Sequence, residues 1–286
     1  MPLLDVLQAS TPLWLTSCAW LGLLVGSFLN VVIHRLPLML ERRWRVEAAE
    51  FLGQPLPDAP RYNLIFPRSA CPHCARPLTA RENIPLLSFV LQGGRCRGCQ
   101  QPIAWRYPLV ELAASGLALL AAAHFGYGWT AVAAMLLLWT LLVLACIDLD
   151  TQLLPDDLTL PLLWLGLLLN LGGLFADLSS AVIGAAAGYL CLWLIFWVFK
   201  WATGKEGMGY GDFKLLAAIG AWLGWQSLPL VLLLSSLVGA TVGIGLMVVR
   251  RNSAATQIPF GPYLAGGAVM ALFWGEVLMR AYWESV

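Results

Sequence analysis

A chain of 286 residues that is 59% hydrophobic and 12% charged is too apolar for an ordinary soluble domain, and several of its apolar runs are long enough to cross a bilayer. No nucleic-acid partner is expected, and the net charge of +1 itself says little about partners, but the charge is unevenly spread: 11 of the 17 Lys and Arg residues fall between Arg35 and Arg106, against five acids. The expected fold is an all-α polytopic membrane protein of about eight transmembrane helices, with a small basic domain inserted after the first.

The first span is read at Leu13 to Ile33. Asp5 precedes it where a signal peptide would carry basic residues, and no small-residue cleavage site follows, so it is expected to be retained. Arg35, Arg42, Arg43 and Arg45 then alternate with Leu38, Leu40, Trp44 and Phe51, a pattern that fits either a short interfacial helix or a helix packed on the following domain. Cytoplasmic loops are enriched in Lys and Arg, which places this segment in the cytoplasm and the N-terminus outside.

Between Pro55 and Arg106 hydrophobicity drops, and Cys71-Pro-His-Cys74 and Cys96-Arg-Gly-Cys99 stand 21 residues apart. Two such turns each aim two sulfurs at one point, the pattern of a closed, four-thiolate Zn²⁺ site that folds a domain rather than catalyses. About fifty residues bury little core, so a metal staple is physically sensible. His73 is expected to be exposed, and Cys18, Cys146 and Cys191 to be small buried thiols within apolar runs.

Further spans are expected at Leu109–Ala123, Trp129–Ile147, Leu158–Leu174, Ala181–Phe199, a notably short Phe213–Leu223, Leu228–Val249 and Pro262–Met279. Lys200, Lys205, Arg250 and Arg251 then fall in cytoplasmic loops, and both termini outside. The organisation is read as a first transmembrane helix (1–33), a cytoplasmic zinc-binding domain (34–107) and a seven-helix membrane bundle (108–286). Gly239, Gly243 and Gly245 point to close helix packing.

Asp148, Asp150, Asp156 and Asp157 crowd the end of the third span, and Asp212 opens the sixth after the glycine-rich Gly207-Met-Gly-Tyr-Gly211. Ionisable groups at membrane depth need a reason. This topology puts both clusters on the cytoplasmic side, where two carboxylates can share a proton, one activating water while the other protonates a carbonyl oxygen. No Ser-His or Cys-His pairing and no His-Glu-x-x-His competes. Lys214 either tunes such a pair or snorkels, since on a helix it points about 200° away from Asp212. Chemistry alone does not choose among the four acids of the first cluster, and a proton-coupled transporter remains the alternative reading, although no internal repeat is visible.

The sequence resembles bacterial type IV prepilin peptidases through Gly26-Ser-Phe-Leu-Asn-Val-Val-Ile-His-Arg-Leu-Pro37, the two Cys pairs, Glu82-Asn-Ile-Pro-Leu-Leu-Ser88, Arg106-Tyr-Pro-Leu-Val-Glu111 and Ile258-Pro-Phe-Gly-Pro262. The family's first active Asp is followed by six residues and a Pro, as Asp148 is by Pro155, and its second closes Gly-x-Gly-Asp, as in Gly209-Tyr-Gly-Asp212. The resemblance therefore implies Asp148 and Asp212 as catalytic, and an enzyme of the inner membrane. It implies prepilin and pseudopilin substrates, cut on the cytoplasmic face, and methylation of the new N-terminus with S-adenosylmethionine. No residue is assignable to that second activity. The arginines of the insert are expected to meet anionic lipid.

Overall fold

The computed structural model describes residues 3–55, 61–250 and 259–285; Arg251 and Ile258 lie outside them. Every regular element of those residues is helical, apart from two isolated β-bridges. Six helices are long and apolar enough to span a membrane, which makes this a multi-pass membrane protein. The chain forms two compact units, one ending at Trp139 and the other beginning at Thr140.

In the first unit a short α1 (Leu3–Ala9) leads into α2 (Thr11–Phe51), 41 residues and so about 62 Å long. The helix that carries the first span thus does not end at Ile33. The helix runs through Pro37 into the arginine-rich stretch without a break, because the residues that follow are strong helix formers and Glu41 and Arg45 pair one turn apart at 2.6 Å. It stops at Gly53, whose φ of +62° is the left-handed conformation that glycine adopts at no steric cost.

α2 packs on α4 (Arg106–Phe125) through Gly22 and Gly26, where a Cβ would come within 2.6 Å of Ser115 Cα and 2.7 Å of Glu111 Cα. Lipid offers helices no hydrophobic reason to associate, so backbone-close packing and polar links carry the pair. Asn30 Nδ2 donates to Tyr107 O at 3.1 Å, and Ser115 Oγ to Ala19 O at 2.9 Å. Between these helices the chain forms a 3₁₀ turn (Ala80–Asn83) and a single helical turn, α3 (Leu87–Leu91). The extension of α2 holds this insert: the buried Arg35 donates to Asn63 O at 2.9 Å, and Arg42 lies 4.1 Å from the centre of the Tyr62 ring.

α5 (Trp129–Thr151) enters the second unit with its last turns and is followed by α6 (Asp156–Leu169), α7 (Leu178–Thr203), α8 (Tyr210–Leu223), α9 (Leu228–Arg250) and α10 (Gly261–Ser285). The two regions expected to be the fourth and sixth spans form 14-residue helices, α6 and α8, each about 21 Å long and so short of the roughly 30 Å hydrocarbon core. α8 is nevertheless the centre of the unit: Phe213, Leu215, Leu216, Ala218, Ile219, Ala221 and Trp222 are all fully buried.

α7 lies directly on α8 through a small-xxx-small pair. A Cβ on Gly184 would sit 2.4 Å from Gly220 O, one on Gly220 2.2 Å from Gly184 O, and one on Gly188 2.6 Å from Leu216 O. Close packing thus falls at these glycines and not at Gly245, which has nothing within 4 Å of a built Cβ; Gly239 faces the Tyr263 ring. On the other side of α8, the Trp222 ring covers Gly166 and its Nε1 donates to Leu162 O at 2.8 Å. The buried Asn170 donates to Ala221 O and Trp222 O, both at 2.9 Å, and accepts from the N–H groups of Phe175 and Ala176. Carbonyls at the end of a helix, which otherwise lack partners, are thereby satisfied. Cys18 is buried, while Cys146 and Cys191 are half-buried.

Candidate active site

Of the four acids after the third span, only Asp148 is buried (5% exposed); Asp150, Asp156 and Asp157 face outward. Asp148 sits in the last turn of α5, whose C-terminus is closed by Gln152 at a φ of +55°, its N–H on Asp148 O at 2.9 Å. The chain then turns to Pro155, the N-cap of α6, whose carbonyl accepts the N–H groups of Leu158 and Thr159. Proline's fixed φ and missing donor suit that position.

Asp212 occupies the first turn of α8 and is 6% exposed. Tyr210 and Phe213 pack with Phe196 of α7 in an aromatic triangle of centroid distances 5.3, 5.7 and 5.3 Å, which fixes the start of the helix. Leu154, from the turn after Asp148, wedges between two glycines. A Cβ on Gly211 would meet Leu154 Cβ at 2.7 Å, and one on Gly261 would meet Leu154 Cδ2 at 3.2 Å. Gly211, immediately before Asp212, is therefore required by a close approach.

These contacts bring Asp148 and Asp212 near enough to interact electrostatically. Asp148 Oδ2 accepts the N–H of Gly261, the first residue of α10, at 2.9 Å. Asp212 Oδ1 is buried without a hydrogen-bond partner among the described residues, a costly arrangement unless another molecule engages it. Lys214 is on neither carboxylate. It bridges both oxygens of Asp156 at 2.7 Å, tying α8 to the head of α6 in a largely exposed pair that contributes little stability.

Gly261 lies in Ile258-Pro-Phe-Gly-Pro262, where a Gly-Pro pair heads an apolar span, and its hydrogen-bond partner is 113 residues away, beyond the reach of local spacing. A Cβ there would stand 2.7 Å from Asp148 Oδ2, so the carboxylate must move. Gly261→Ala is therefore expected to lower kcat about 10²-fold, the scale of a roughly 1 Å misplacement at a reacting group, with no comparable fall in folded yield. Measurement of kcat on detergent-purified protein checks it, and an unchanged kcat would contradict the positioning role.

In the first unit the four Sγ atoms of Cys71, Cys74, Cys96 and Cys99 lie within 4.8 Å of one another. Cys71 Sγ is 3.8 Å from Cys99 Sγ, and Cys74 Sγ is 3.9 Å from Cys96 Sγ; a tetrahedron with Zn–S bonds of about 2.3 Å has edges of about 3.8 Å. The cluster could thus hold a metal such as zinc. Both knuckles are built alike. Cys71 N–H donates to Arg76 O and Cys96 N–H to Gln101 O, and the residue after each second cysteine, Ala75 or Gln100, takes a φ near +60°. The backbone N–H groups of Cys99 and Gly98 draw the Cys96 thiol down to about 6, while against the Gln101 N–H burial and the neighbouring thiols push Cys99 up to about 11. His73 is exposed. Beside the cluster, the Thr79 backbone and hydroxyl, with Arg76, hold the Glu82 carboxyl below its ordinary range.

Replacing Cys71 and Cys96 together by Ser is expected to remove the metal and open residues 61–105 to limited proteolysis while the membrane helices persist. Metal analysis and protease mapping of the full chain check this, and retained protection would overturn the structural role.

Residues 20–125 match the bacterial peptidase A24 N-terminal domain, and residues 135–244 match the type IV leader peptidase family. Among curated proteins, the chain is 60% identical to a prepilin leader peptidase/N-methyltransferase of Aeromonas hydrophila, over 91% of each chain. It is 57% identical to a protein of the same name from Pseudomonas aeruginosa, over 99% of this chain and 98% of the relative. A third, from Burkholderia pseudomallei, is 53% identical over 96% of this chain and 90% of its own length. No solved structure matches.

Proposed function

The chain belongs to the type IV leader peptidase family, and from that membership we propose that it removes leader peptides from prepilins and type II secretion pseudopilins and N-methylates the residue thus exposed. The observation that carries the peptidase half is the buried pair Asp148 and Asp212, one held by the Gly261 N–H and the other with an unpartnered oxygen. One carboxylate takes a proton from water as its oxygen bonds to the scissile carbonyl carbon; the other, protonated, donates to the carbonyl oxygen. When the tetrahedral intermediate collapses, the C–N bond breaks and the nitrogen leaves as an amine carrying a proton from the pair. No covalent enzyme intermediate is needed.

The placement follows from charge. Family membership supports the bacterial inner membrane, and the insert and the aspartates are read as facing the cytoplasm, with both termini periplasmic, because Lys and Arg concentrate in the segment after the first span. The division into a first transmembrane helix (1–33), a zinc-binding domain (34–107) and a membrane bundle (108–286) is part of this reading. Zn²⁺ on the four cysteines would supply folding of the insert rather than chemistry.

S-adenosylmethionine is the methyl donor that the second activity requires. Among the described residues there is no glycine-rich strand-to-helix turn of the dinucleotide-binding kind, so no side chain is assigned to it and no step is derived through it. The transporter alternative finds no support in the relatives.

The test is cleavage of a purified prepilin in proteoliposomes, with mass spectrometry of the product. Loss of the leader, and a methyl-sized mass gain that depends on added S-adenosylmethionine, are the expected results. An intact prepilin would overturn the peptidase reading, and cleavage without the mass gain would overturn the second activity.

A further inference from the structure

Two stretches that carry the family resemblance, residues 82–88 and 106–111, take no part in the acid pair, and in the first unit they meet. The buried Glu111 carboxylate of α4 accepts the N–H of Leu86 at 2.8 Å and also bonds the Ser27 side chain of α2. Leu86 stands at φ +57° and ψ −49°, the centre of a γ-turn in which the Leu87 N–H donates to Pro85 O. That backbone shape is rare and strained for a residue with a Cβ, and the carboxylate holds it in place.

The depth of this contact follows from α4. At 20 residues α4 is about 30 Å long, just the thickness of the hydrocarbon core, so Trp105 and Arg106 stand at the membrane boundary and Glu111, five residues on, about 7.5 Å inside it along the axis. Phe89 packs edge-on against the Trp105 ring, at 5.0 Å between centroids. The turn that opens α3 therefore reaches the headgroups or below them, and α3 lies at the boundary itself.

The backbone suits that place. The N–H groups of Leu86, Leu87, Ser88, Val90, Gln92, Gly93 and Gly94 all find acceptors within the segment or on Glu111, as lipid for a neighbour requires. Leu87, Val90 and Leu91 fall on one face of α3, at i, i+3 and i+4, and all are exposed, Val90 to 71%. Arg81, Arg95 and Arg97, exposed before and after the segment, supply the positive charge that anionic headgroups draw.

We propose that residues 84–91 are a membrane anchor of the insert: Glu111 draws Leu86 down beside α4, and Leu87, Val90 and Leu91 sit among lipid acyl chains. The insert is then not a domain free in the aqueous phase but one fastened flat to the bilayer surface, at the roughly 5–10 Å depth of interfacial segments.

The experiment places the photo-crosslinking residue p-benzoylphenylalanine at position 90 of the full chain, in vesicles of phosphatidylethanolamine and phosphatidylglycerol, and identifies adducts by mass spectrometry after irradiation. Lipid adducts are expected in the parent background. In Glu111→Ala they should fall about tenfold or more, the scale of a lost hydrogen bond to a charged group, and in Glu111→Gln they should return, because the amide carbonyl still accepts the Leu86 N–H. Bound metal, measured in each variant, shows that the insert stays folded, and the parent arm decides alone if Glu111→Ala does not fold. The absence of lipid adducts in the parent background would overturn the anchor, as would adducts to a second copy of the chain in their place. Undiminished lipid adducts in a folded Glu111→Ala would overturn the role of Glu111.

Discussion

Asp148→Asn and Asp212→Asn are each expected to lower prepilin cleavage by roughly 10²–10⁴-fold, the range for losing a positioned acid or base, while Asp150→Asn stays near the parent rate. The contrast follows from burial. Asp148 and Asp212 are 5% and 6% exposed and interact with one another, whereas Asp150 faces outward. An amide keeps the shape of a carboxylate but neither takes a proton from water nor supplies one to a carbonyl oxygen. The loss should appear in kcat, with substrate still co-purifying with the variants and with unchanged thermal unfolding. Full cleavage by either variant would remove that aspartate from the mechanism.

Gly220→Val is expected to abolish the folded bundle rather than only its activity. A Cβ at this position would lie 2.2 Å from Gly184 O and 2.4 Å from Gly184 C, both backbone atoms that no rotamer change can move. Relief requires α7 and α8 to part, which undoes the burial of α8 and shifts the helix that begins with Tyr210, Gly211 and Asp212. Overpacking costs about 1–3 kcal/mol where side chains can yield, and a clash between two backbones exceeds that, so the variant should be recovered in low yield and aggregated. Gly245→Ala is the control: with nothing within 4 Å of its built Cβ, it should express and unfold like the parent. A well-folded, active Gly220→Val would mean that the two helices do not touch at backbone distance.

Much of this was legible in the sequence because it rests on local spacing. Apolar run lengths located the helices, and the paired cysteines announced a four-sulfur cluster. The helical turn per residue placed Lys214 away from Asp212, and the structure seats it on Asp156. What the sequence withheld depends on which backbones meet. Gly184 and Gly188 stand four apart, a spacing that could have been read, but their partners Gly220 and Leu216 are set by how α7 returns onto α8. Gly261 is more extreme, since its value lies wholly in a hydrogen bond to a residue 113 positions earlier. The long α2 was missed for another reason. A proline and a run of arginines signal the end of a membrane span, and both did mark the end of its apolar part, yet strong helix formers carried the same helix onward.

The shortness of α8 bears on how hydrolysis obtains its second reactant. At 14 residues it falls short of a roughly 30 Å hydrocarbon layer by about 9 Å, and the Gly207–Gly211 backbone before it has amides that lipid cannot satisfy. Those amides call for polar partners, so the end of the helix where Asp212 sits is expected to be open to water rather than to lipid. A peptide bond brought to that end would then meet water below the headgroup level, at a helix too short to fill the hydrocarbon layer.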